Sequence, residues 1–189
     1  MPVPLLIAVA IIGLIATTAL VFALLEFFES EPEPTTAESV QTFRDSAIPV
    51  DVPTIVTEED LREFGRTYPP VYWAGPRDDV QYELTATRTG DFYVRYLPED
   101  AEVGDDTSEY LTVATYSVVD GYQLLADSAT TAGATGVEAE SGALVVTHAN
   151  DDKRAYFAFE GSDFQVEVFD PVAGVAAGLV ADGSLVLLQ

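Results

Sequence analysis

Gln81–Arg88 (QYELTATR), Thr89-Gly90-Asp91 and Phe92–Leu97 (FYVRYL) together decide the fold of this chain. Successive side chains of a strand point to opposite faces, so an alternating pattern names the face that must be buried. Tyr82, Leu84 and Ala86 share one face of the first segment. Phe92, Val94 and Tyr96 share one face of the second, and Tyr93 and Arg95 take the other. Thr89-Gly90-Asp91 between them is a tight hairpin signal. Two strands joined this way form an antiparallel pair with one face that needs a cover. The fold class is therefore α+β, an antiparallel sheet with helices packed on one face.

Downstream, strand patterns continue at 110–118 (YLTVATYSV), 136–140, 143–148, 155–160 and 164–169. Phe164, Val166 and Val168 read as inward, Gln165 and Glu167 as outward. Asp120 to about Ala132 reads as a helix with Tyr122, Leu125, Ala126 and Ala129 on its apolar face, ending at Gly133. Asp170-Pro171 reads as the start of a last helix, with Pro at its first position. Leu185–Leu188 is a final edge strand or a tail. Three strands and a helix occur at 81–132 and again at 143–182, the order expected of a βββα duplication, although residue identity between the halves is poor.

Upstream, Val71–Ala74 is strand-like and Pro69-Pro70 precedes it. Thr57 is a good N-cap for a helix opening with Glu58, Glu59 and Asp60, whose charges suit the positive helix end. Leu61 and Phe64 share its apolar face, and Gly65 reads as its end. Residues 29–56 form an acidic, Pro-rich linker (ESEPEPTTAES at its start), too polar to fold alone and stiffened by its prolines. A short helix is predicted within it at Ser39–Ser46.

Before the linker, Leu5–Leu25 (LLIAVAIIGLIATTALVFALL) runs 21 residues without a charge. A helix of that length reaches about 30 Å, the hydrocarbon thickness of a bilayer. A cleaved signal peptide has a basic start, a shorter apolar core and a small-residue exit. Here no Lys or Arg precedes Arg44, and the run leads into Glu26-Phe27-Phe28. Residues 1–28 thus read as a transmembrane signal anchor, with the lipid bilayer contacting residues 5–25. The short N-terminal tail stays inside and residues 57–189 form an extracytoplasmic α+β domain. The predicted location is the cell membrane, single-pass, with the C-terminal domain outside the cytoplasm.

The chain of 189 residues carries a net charge of −24 and contains no cysteine. Such a surface repels phosphate backbones, so nucleic acid is not a predicted partner. Disulfides, thiolate metal sites and cysteine nucleophiles are excluded. The charge fits a high-salt habitat, cation binding, or plain solubility.

Catalytic patterns are scarce. His148 is the single histidine and ends a strand beside the turn residues Asn150, Asp151 and Asp152. A Ser-His-Asp triad would have to use it, and no G-x-S-x-G surrounds any serine. Zinc would need His or Cys ligands the chain lacks. The loop Glu99–Asp106 is rich in oxygen ligands, but the calcium-loop spacing D-x-D-x-D-G is absent. No catalytic, cofactor-binding or metal-binding residue is assigned, and no cofactor is predicted.

Aromatics carry the stronger signal. Adjacent Tyr72 and Trp73, like Phe92 and Tyr93, must face opposite ways in strands, so the sheet has aromatics on both faces. Tyr, Trp and Arg are favoured at contact surfaces, which makes Tyr72, Trp73, Tyr93 and Arg95 the candidate interaction surface. The alternative is that Pro69-Pro70, loops or the N-terminal helix cover that face, with Arg95 simply paired to Glu83 across the strands.

The segments Pro70–Pro76 (PVYWAGP), Tyr82–Thr85 (YELT), Tyr93–Pro98 (YVRYLP), Leu111–Tyr116 (LTVATY) and Gly161–Pro171 resemble a group of bacterial proteins with one N-terminal membrane helix and no assigned activity. The resemblance implies one domain on one anchor and transfers no site residue. The leading functional expectation is a non-catalytic, membrane-tethered binding or accessory domain with a protein partner. A structural subunit of a membrane complex or filament is the alternative, and a small hydrolase the third.

Overall fold

The computed structural model describes residues 48–189 except Pro69 and Ser108. The predicted anchor, the short helix at 39–46 and most of the predicted linker lie outside the described residues. Among the described residues no helix is long and apolar enough to cross a membrane.

The domain is an antiparallel sheet with three helices and a small ribbon. The strands are β1 (Thr54–Val56), β2 (Tyr72–Trp73), β3 (Val80–Ala86), β4 (Phe92–Pro98), β5 (Thr112–Ser117), β6 (Ala134–Glu138), β7 (Ala143–His148), β8 (Asp151–Phe159), β9 (Phe164–Phe169) and β10 (Val186–Leu187). The helices are α1 (Glu58–Thr67), α2 (Gly121–Ser128) and α3 (Val175–Ala181). The main sheet has the order β1-β3-β4-β5-β9-β8-β7-β6, and β2 pairs with β10 in the ribbon. The β3–β4 hairpin forms in the predicted register, with Leu84 opposite Val94 and Thr85 opposite Tyr93. Its turn is closed by Thr87 N–H on Asp91 O and Gly90 N–H on Thr87 O.

One face of the sheet holds the main core. Tyr82, Leu84, Ala86, Phe92, Val94, Tyr96, Val113, Phe157, Val166 and Val168 cluster there with Leu61 and Phe64 of α1, Trp73 of β2, Ala176 and Val180 of α3, and Leu188. Phe64 packs edge-on to Phe92 at 5.4 Å between centroids. The opposite face holds a small second cluster, in which Leu125 of α2 meets Val146 and Ala158, with Tyr122, Leu144 and Tyr156 around them. Val145 and Phe157 belong to the first face and their neighbours Val146 and Tyr156 to the second, as the two-residue period requires.

The helices therefore do not share one face, contrary to the sequence expectation. α1 and α3 cover the main core, while α2 covers the opposite face over β7, β8 and β9. The strand order is palindromic, β3-β4-β5 against β9-β8-β7, and a helix follows each inner strand. Because those helices lie on opposite faces, the two βββα stretches are not superposable units.

Several boundaries also differ from the sequence reading, among them the strand read at 155–160, which starts at Asp151. The fold begins before residue 57: Thr54–Val56 pairs with Tyr82–Leu84, and Val50 bridges Ala86. Gly65 does not end α1, which continues to Thr67. It is buried because Leu188 lies against it, and a Cβ there would stand 2.2 Å from the Leu188 Cβ. Asp170-Pro171 stands before a turn, and α3 starts later behind Gly174 at φ 79°. α2 stops at Ser128, short of Ala132.

Candidate functional site

Among the described residues, no helix covers the face opposite the main core over β3, β4 and β5, where α2 does not reach. Register builds its floor as two cross-strand rows. Thr85, Tyr93, Ala114, Glu167 and Tyr156 are successive neighbours in one row. Glu83, Arg95, Thr112, Phe169 and Arg154 are successive neighbours in the other. Short Thr112 and Ala114 on the middle strand, between long side chains on both sides, make a trough. Tyr116 continues the middle strand, while Pro53 and the loop Gly104–Thr107 wall one side. The resulting cavity has a volume of about 500 Å³.

Glu83 lies at the trough's inner edge, 1% exposed. A bare buried carboxylate is costly, and both of its oxygens are occupied. Oε1 accepts from Arg95 Nη1 at 2.9 Å and Oε2 accepts from the Gly104 amide at 2.6 Å. Arg95 is half committed elsewhere. Its Nη2 donates to Thr107 O at 3.3 Å, and its guanidinium sits 5.3 Å from the Tyr110 ring centre. The pair anticipated from β-strand alternation thus exists, and it also ties the acidic loop 99–107 onto the sheet.

A second pair faces it across the trough. Arg154 Nε donates to Glu167 Oε1 at 2.9 Å, and its Nη1 to Asp151 Oδ2 at 2.6 Å. Burial works against charge on Arg154, but these two carboxylates outweigh it and raise its pKa. Tyr116 donates to Glu167 Oε2 at 3.1 Å. Burial, reinforced by the Glu167 charge, drives the Tyr116 phenol well above the ordinary tyrosine range. It remains a neutral donor, unsuited to act as a phenolate nucleophile. Tyr93 packs edge-on to Tyr116 at 5.8 Å, and burial likewise raises its pKa. Arg95 and Arg154 are three strands apart in the sheet order, about 14 Å between backbones at ordinary strand spacing.

The candidate interaction residues separate into two pairs. Tyr93 and Arg95 line the trough. Trp73 does not; it is 1% exposed in the core, 5.8 Å from Tyr82 with the Arg62 guanidinium over it at 4.9 Å. Tyr72 packs against Phe157, Phe159 and Phe164 on the same side. The ribbon with β10 turns both away from the open face, which a dipeptide of alternating aromatics does not reveal. Missed by the sequence reading were Glu83 as a floor residue, Thr112, Tyr116, Arg154 and Glu167. All sit at alternate positions of their strands, yet only the β5–β9 and β8–β9 pairings bring them together.

His148 packs beside Tyr156 at 6.1 Å and does not line the cavity. Among the described residues no group of three or more His, Cys, Asp or Glu is arranged to hold a metal ion. No family model, characterised protein or solved structure matches this chain.

Proposed function

We propose that this chain is a membrane-tethered binding or accessory domain acting outside the cytoplasm, without catalysis of its own. The supporting observation is the trough, on whose floor Glu83 is paired with Arg95 and Glu167 with Arg154. Glu83, Arg95, Glu167, Arg154 and Tyr116 hold each other rigid, which suits a preorganised contact surface. A general acid or base works best with a pKa near the working pH, and Arg154 and Tyr116 are both shifted upward, away from it. Tyr93 supplies the exposed part of an aromatic anchor of the kind enriched at binding hot spots. The apolar run 5–25 supplies the tether, and the Glu/Pro-rich spacer sets the domain off the bilayer.

The test is capture of partners from native membranes in mild detergent, comparing the full chain with a Tyr93→Arg variant. The reading predicts a stoichiometric partner retained by the first and lost by the second. Identical capture by both refutes the trough as the binding surface. Carbonate extraction and protease protection of intact cells check the tether: the protein should remain with membranes, and residues 48–189 should be cleaved from outside.

A structural-subunit role rests on a separate observation. The edge strand β6 is almost wholly exposed, with Val137 59% exposed, and carries no Lys or Pro to blunt strand addition. Concentration-dependent assembly abolished by Val137→Lys would favour that reading.

A further inference from the structure

We propose that the trough takes an extended, cationic polypeptide segment presenting Lys or Arg side chains, an assignment that rests on the reading of the trough as a binding surface. Charge complementarity carries it. The two trough arginines are matched by Glu83 and Glu167, so they offer no uncompensated positive charge to an anionic partner. The wall, in contrast, carries Asp105 and Asp106. Asp105 accepts from the Thr107 amide at 2.8 Å and from the Tyr110 hydroxyl at 3.0 Å. Those bonds hold its carboxyl below the ordinary range, so it stays ionised. Asp106 beside it is exposed.

The aromatic lining agrees with this choice. A ring face attracts ammonium and guanidinium groups. The protein already uses that attraction nearby, with Arg95 over Tyr110 and Arg154 over Phe169 at 4.9 Å. Among the described residues no arginine stacks on Tyr93 or Tyr116, the paired tyrosines that line the trough, and Tyr93 is the half-buried one tested below. The shape favours an extended chain, because the floor is a shallow channel over Thr112 and Ala114 and not a closed cavity. At long range, the chain's net charge of −24 draws cations toward the protein and repels acidic partners and nucleic acid.

The test uses the full chain in detergent micelles and three labelled twelve-residue peptides of alternating Ser with Lys, Gln or Glu, read by fluorescence anisotropy at two salt concentrations. The Lys peptide should bind, more weakly at the higher salt. Tyr93→Leu and Asp106→Lys should each weaken it roughly three- to tenfold. Glu140→Lys, an equal charge change on the exposed turn between β6 and β7, should leave it within about twofold. Equal weakening by Glu140→Lys means attraction to the acidic surface at large and overturns the proposal. Binding of the Gln or Glu peptide that Tyr93→Leu abolishes overturns the cationic assignment while keeping the trough. Binding of none of the three overturns the assignment, and the Tyr93→Arg comparison in native membranes then decides the parent reading independently. Circular dichroism of each variant separates lost binding from lost folding.

Discussion

Replacing Glu83 by Gln tests the trough's architecture at its most buried point. The substitution keeps volume and removes one charge. Arg95, whose side chain is 15% exposed, then lacks its counter-ion. The Gln carbonyl can accept from either Arg95 or the Gly104 amide, while its NH₂ confronts whichever donor remains. Breaking a fully buried pair costs about 3–5 kcal/mol. Arg95 keeps Thr107 O and the Tyr110 ring, and part of its head reaches water, so the lower end applies, about 3 kcal/mol. At roughly 3–4 °C per kcal/mol for a domain of this size, the midpoint should fall by about 10 °C. Thermal and urea unfolding can be followed by the fluorescence of Trp73, the single tryptophan. Hydrogen exchange should localise a second effect, with the Gly104 amide losing protection as the loop detaches. The Arg95→Met partner variant completes a double-mutant cycle, and its coupling should account for most of the loss. A loss below about 1 kcal/mol, within the range of exposed pairs, would refute the claim that this pair organises the trough.

Gly65→Ala should destabilise by roughly 1–2 kcal/mol, because its Cβ would meet Leu188 Cβ at 2.2 Å and the overpacking cost, near the upper end of about 3 kcal/mol, exceeds the helix-propensity gain of up to about 1 kcal/mol; urea unfolding gives the sign. Thr57→Ala should cost about 1 kcal/mol by removing the capping box in which Thr57 and Asp60 bond reciprocally. The Thr57 hydroxyl and amide also hold the Asp60 pKa below its ordinary value, so the ionised form is the stabilising one. Asp60→Asn should therefore differ from wild type above the ordinary carboxylate pKa of about 4, and the difference should vanish as pH falls through the depressed folded value; unfolding curves across acidic pH check this. Trp73 should emit at short wavelength in the folded chain and shift red on unfolding, since it is buried and its Nε1 has no hydrogen-bond partner among the described residues.

The β3–β4 hairpin, β7 and β9 were legible because alternation is a local signal and one face of each strand is apolar. The Thr57 cap was legible because it is set by neighbouring residues, whereas Leu185–Leu188, read as an edge strand or a tail, is a strand at Val186–Leu187 through its distant pairing with β2. What failed was long-range. Thr54–Val56 is three residues bounded by Pro53, and only its pairing with Tyr82–Leu84 makes it a strand. Gly65 looks like a helix stop, yet its missing side chain serves the close approach of Leu188. The apolar stripe of α2 shows that it packs, but not on which face of the sheet. In the trough, Tyr93 and Arg95 came from alternation alone. Arg154 and Glu167 joined them through pairings between β5, β9 and β8 that no local pattern encodes.

A photoreactive amino acid at Tyr93 in the full-length chain, irradiated in native membranes, tests the central claim most directly. The same probe at Glu140, on the exposed turn between β6 and β7, is the control. The account predicts a discrete protein adduct at position 93 that is missing at 140. No adduct at 93, or the same adducts at both positions, would contradict it.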